Sequence, residues 1–139
     1  MIRKSEENYS ELKSTNGTWQ VNCDEGSGSL NINDEDVFIE VNSNQIYIDA
    51  LIKKQNDSIY NLYLKSPNDL GAGGMRLNWD GFSKDSIIAS FNYNQKSNSL
   101  KFDWYGFYDI SIQKRIWKED SDFQIMTEKT GNIKLIKCK

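Results

Sequence analysis

Cys23 has a single possible intrachain partner, Cys138, which stands next to the last residue of the 139-residue chain. A bond between them ties the two ends of the chain together, and both ends read as strand. Trp19, Val21 and Cys23 alternate onto one face and Thr18, Gln20 and Asn22 onto the other, the two-residue period of a half-buried strand. Ile133, Lys134, Leu135, Ile136 and Lys137 lead into Cys138 as a second short strand. Side by side and bridged, the first and last strands close a sheet into a barrel. A disulfide closing so long a loop contributes about 4–5 kcal/mol on the chain-entropy account. Neither cysteine has neighbours at metal-ligand spacing, so the pair implies an oxidising compartment rather than a metal centre.

Between these ends the same period recurs in short runs separated by turn residues. Leu30 and Ile32 form one run; Val37, Ile39 and Val41 the next; Ile46, Ile48, Ala50 and Ile52 the clearest, with Tyr47, Asp49 and Lys53 opposite. Tyr60, Leu62 and Leu64 follow, then Met75, Leu77 and Trp79, then Ile87, Ala89, Phe91 and Tyr93, then Leu100, Phe102 and Trp104. Beyond Gly106, Tyr108, Ile110, Ile112 and Ile116 read as one more strand, and residues 118–132 as a short helix or loop. Asn33-Asp34-Glu35-Asp36, Asn42-Ser43-Asn44 and residues 94–98 supply the turns. The expectation is an all-β antiparallel meander of about eight to ten strands closing into a single β-barrel, because closure removes the sheet edges. Residues 1–16, with Lys4, Glu6, Glu7, Glu11 and Lys13 and few apolar anchors, read as a flexible tether, and 17–139 as the barrel domain. The first residues lack the apolar stretch of a signal peptide, and the expectation is a cleaved-signal or lipid-anchored precursor exported to the periplasm or outside the cell.

The chain contains no histidine, which removes the commonest general base and the commonest metal ligand together. With both thiols in a bridge, no cysteine nucleophile remains. Asp80, Asp85, Asp103 and Asp109 lie near aromatic runs, as paired carboxylates would in a carbohydrate-active enzyme, but aspartates at strand ends are more often turn formers. Asp34-Glu35-Asp36 lacks the alternation, the glycine and the distant glutamate of an EF-hand loop. A net charge of −3 without a basic, aromatic-interleaved stripe argues against nucleic acid as the partner. The reading is therefore of a protein without catalysis, cofactor or metal.

Residues 66–74 hold the sole proline and three of the nine glycines and read as an irregular, protruding loop. Gly71-Ala72-Gly73-Gly74 is not followed by the Lys-Ser or Lys-Thr of a phosphate loop. Pro67, Asn68, Asp69, Leu70, Gly71, Gly73 and Gly74 are instead the expected partner-binding residues, with Asp69 and Leu70 making the side-chain contacts and the glycines admitting backbone to a narrow cleft.

Gly17-Thr18-Trp19 resembles the Gly-x-Trp opening of lipocalin-type barrels. The resemblance implies a tryptophan plugging one barrel end, an arginine from a late strand lying over it, here Arg115, and an interior that carries a small apolar ligand. In size, charge, Asn and Ser content, disulfide use and lack of catalytic residues, the chain is also similar to small periplasmic β-proteins that inhibit lysozymes or neutralise antibacterial effector toxins. That similarity implies an exported bacterial inhibitor or immunity protein whose loops occlude a toxin or cell-wall hydrolase; the lipocalin-like carrier is the alternative.

Overall fold

The computed structural model describes residues 14–24, 28–56, 58–118, 121–123 and 133–138. Its strands are β1 (Gly17–Gln20), β2 (Ser29–Asn33), β3 (Asp36–Asn42), β4 (Ile46–Asn56), β5 (Ile59–Leu70), β6 (Ile87–Asn94), β7 (Ser99–Trp104), β8 (Phe107–Asp109), β9 (Lys114–Ile116) and β10 (Ile133–Cys138). Eight of them, β1–β7 and β10, close into an antiparallel barrel; β8 and β9 form a separate hairpin between β7 and β10. Each barrel strand otherwise pairs with its neighbour in sequence, so the meander implied by the alternation is the one formed. Closure comes from the β1–β10 ladder, which sets Thr18 opposite Cys138 and Gln20 opposite Ile136.

Register converts the alternation into inward belts. Trp19, Leu30, Ile39 and Ile48 lie opposite one another across β1–β4. Ile52, Leu62, Ala89 and Trp104 do so across β4–β7. Tyr60, Phe91, Phe102 and Ile133 make a third belt through β5, β6, β7 and β10. All are buried in one apolar cluster, and each fully buried large side chain contributes about 1.5–3 kcal/mol. Trp19 meets Tyr93 edge-on across the interior, with ring centroids 6.1 Å apart. Asp34, Asn44 and Asn98 occupy the left-handed positions of three turns, φ 57°, 68° and 50°, a conformation that short polar side chains tolerate.

Several local expectations are corrected. Met75, Leu77 and Trp79 are not a strand: residues Ala72–Met75 form a turn of helix, α1, and Trp79–Gly81 a turn of 3₁₀ helix. Met75 is exposed, while Trp79 donates from Nε1 to the Gly74 carbonyl and packs on Phe82 and Phe107. Three alternating apolar residues are too few to separate strand from irregular backbone, and here tertiary packing decided. Cys23 is not in β1; the strand ends at Gln20, and Cys23 reaches Cys138 from the following connection, with Cα atoms 5.6 Å apart. The expected tether lies outside the described residues except for Ser14, Thr15 and Asn16, of which Thr15 is fully buried. Most of residues 118–132 also lies outside them; Phe123 is described, buried against Phe102 and Trp104.

Candidate functional site

The expected binding segment is gathered at one barrel rim, but not as a loop. Pro67, Asn68, Asp69 and Leu70 belong to β5, which continues along β4 through two bulges, Pro67 opposite Ile48, Asp69 opposite Tyr47 and Leu70 opposite Ile46. Asn68 donates from Nδ2 to Asp49 Oδ2 at 3.0 Å. Gly71 N–H donates to the Gln45 carbonyl at 2.9 Å, and Gly73 N–H to Gln45 Oε1 at 2.7 Å. A Cβ on Gly71 would stand 2.1 Å from the Asn44 carbonyl oxygen, and one on Gly74 2.2 Å from that of Gln45. The glycines thus admit the chain's own β3–β4 turn. Of the seven residues only Asn68 and Asp69 are exposed, and Leu70 is half-buried.

At the same rim, the β8–β9 hairpin stands outside the barrel sheet. Gly106, at φ 84°, turns the chain out of β7 and changes the phase of the alternation, so Phe107 and Asp109 face inward in place of Tyr108 and Ile110. Phe107 is the hub of an aromatic cluster: Phe82 stacks on it with centroids 5.2 Å apart, and Trp79 and Trp104 approach it edge-on at 5.1 and 5.5 Å. The backbone is bonded as well, Ser83 N–H to the Tyr108 carbonyl and Ile110 N–H to the Gly81 carbonyl. Arg115 donates from Nη1 to the Ile87 and Gly106 carbonyls, and its guanidinium lies 5.6 Å from the Tyr108 ring centroid. It therefore pins the hairpin and does not cover Trp19. The cation over Trp19 is Lys137, whose Nζ is 5.6 Å from the ring centroid.

The hairpin tip is built by Asp109. Its buried Oδ1 accepts from Ser111 N–H at 2.9 Å and from Ser111 Oγ at 2.6 Å, a local turn motif, and Gln113 closes the turn at φ 54°. This commits Asp109 to structure, while Asp80 and Asp85 lie exposed. The geometry leaves Ile110 57% and Ile112 53% exposed at the end of a buttressed element, beside the exposed Lys114. Sequence reasoning read both isoleucines as part of one strand, whereas they lie in the turn between β8 and β9. The signal that marks them is Asp109-x-Ser111 after a glycine, a turn signature embedded in an apolar run.

No group of three or more His, Cys, Asp or Glu among the described residues is placed to hold a metal ion. The chain matches no protein-family model, no curated protein and no solved structure.

Proposed function

We propose that this is an exported bacterial binding protein without catalysis, an inhibitor or immunity protein that occludes a partner enzyme or effector toxin, and that the β8–β9 hairpin is its occluding element. One observation carries the reading: a short hairpin held outside the barrel by four packed aromatic rings offers two isoleucines to solvent at its tip. Their exposure contributes nothing to the stability of the monomer, and exposed apolar side chains on a rigid support bind at low entropic cost. The disulfide supports an oxidising compartment. The carrier alternative has less support, because the interior of this eight-stranded barrel is occupied by Trp19, Tyr60, Phe91 and Phe102.

The test is inhibition of cell-wall hydrolases and effector toxins, measured with wild-type protein and with Ile110→Ser plus Ile112→Ser. The expected result is a partner whose activity is blocked by wild type and whose affinity falls by more than about tenfold in the variant, at unchanged melting temperature. Equal inhibition by the variant would remove the hairpin from the interface; binding without loss of partner activity would remove the inhibitor reading itself.

A further inference from the structure

On the outer wall of β6, β7 and β10, Lys101 and Lys134 are direct cross-strand partners, and Asn92 is the partner of Lys101 on its other side. Like charges set directly opposite in an antiparallel pair destabilise it. Neither lysine makes an ion pair among the described residues, so nothing there offsets the repulsion. The two line a concavity of about 380 Å³ together with Asn92, Asn94, Ser99 and Ile133. Among the described residues no carboxylate lines it, although the chain as a whole carries a net charge of −3. Asp103, the next outward residue along β7, pairs with Ser90 instead. Asn94 Oδ1 accepts from Ser97 N–H, which leaves its Nδ2 as the donating end. Ser97 and Ser99 hydroxyls share a hydrogen bond of 2.6 Å, in which either can donate.

We infer that this groove binds a phosphate- or sulfate-type oxyanion carrying at least two negative charges. Two ammonium groups, two amides and a hydroxyl form a set rich in donors, and lysines act as point charges suited to a tetrahedral oxyanion rather than as the planar fork that arginine offers a carboxylate. Bound anion would turn the Lys101–Lys134 repulsion into attraction for both. Asn94 and Ser99 flank the turn at the rim opposite the hairpin, so the site is independent of the proposed occlusion. The source of the anion is a free phosphate compound or a phospholipid headgroup, which share this chemistry.

The experiment is a titration of ¹⁵N-labelled protein with sodium pyrophosphate, against sodium chloride at matched ionic strength. The expected result is saturable shifts at Asn92, Asn94, Ser99, Lys101 and Lys134, weakened by at least about tenfold in Lys134→Glu. That variant places opposite charges across the pair, so its melting temperature without ligand should equal or exceed that of wild type, which separates lost binding from lost folding. Shifts that follow ionic strength alone, or that persist undiminished in Lys134→Glu, overturn the site. Cosedimentation with phosphatidylglycerol vesicles, displaced by pyrophosphate, would assign the headgroup as the source. Pyrophosphate binding without cosedimentation would assign a soluble ligand, and cosedimentation without pyrophosphate binding would overturn the proposal.

Discussion

Asp122 is a carboxylate held by one backbone donor among the described residues: it is buried, and its Oδ2 accepts from Ser43 N–H at 2.7 Å. Burial raises its pKa above the ordinary 3.8, and the Ser43 hydrogen bond opposes that shift only in part. From pH 3.8 up to the higher folded value, the native state binds more protons than the unfolded chain, so stability falls as pH rises through that window. Asp122→Asn keeps an acceptor for Ser43 and removes the buried charge. The variant should melt at or above the wild-type temperature at neutral pH, with the difference closing below the window. A less stable variant at neutral pH would show that the charged hydrogen bond outweighs the desolvation. Trp19 is held differently, by its Nε1 donation to the Thr15 carbonyl at 2.7 Å, by Tyr93 and by Lys137. Lys137 reaches it because the β1–β10 register sets the two residues opposite.

Among the elements, the junction of β5 and α1 shows what its glycines do. Gly71 and Gly74 face backbone oxygens of the β3–β4 turn, which cannot move aside, whereas Gly73 faces the end of the Gln45 side chain, at 2.8 Å for an added Cβ. Gly71→Ala and Gly74→Ala should each cost about 1–3 kcal/mol in urea unfolding, and Gly73→Ala less. Equal costs at all three would place the constraint elsewhere; reduced partner binding by Gly71→Ala at full stability would return residues 67–74 to the interface. The hairpin illustrates the converse. Tyr108, Ile110 and Ile112 continue an apolar alternation, but Gly106 and the Asp109–Ser111 turn break it, and the packing of Phe107 sets which face is inward.

For the whole molecule, closure has two agents, the three-pair β1–β10 ladder and the disulfide between residues 115 apart in sequence. Because the ladder and the inward belts are independent of the bond, Cys23→Ser with Cys138→Ser should still give a β-rich circular dichroism spectrum. It should lose about 2–5 kcal/mol of unfolding free energy. Unchanged stability would mean that strand pairing alone confines the chain ends; a lost β signature would mean that the bond is required for closure.

What the sequence determined by itself is the closed antiparallel barrel and the inward faces of most of its strands. The faces of β2, β3, β4, β5 and β7 were legible because a two-residue period is a local property, written in consecutive side chains such as Ile46, Ile48, Ala50 and Ile52. The cysteine pair was legible because it had one possible solution. Tertiary structure alone decided that Lys137 rather than Arg115 covers Trp19, that the glycines of residues 71–74 meet the chain's own turn and that Lys101 confronts Lys134. Each of these depends on register between strands far apart in the chain, and a side chain's sequence neighbours carry no record of the residue that register will set across from it.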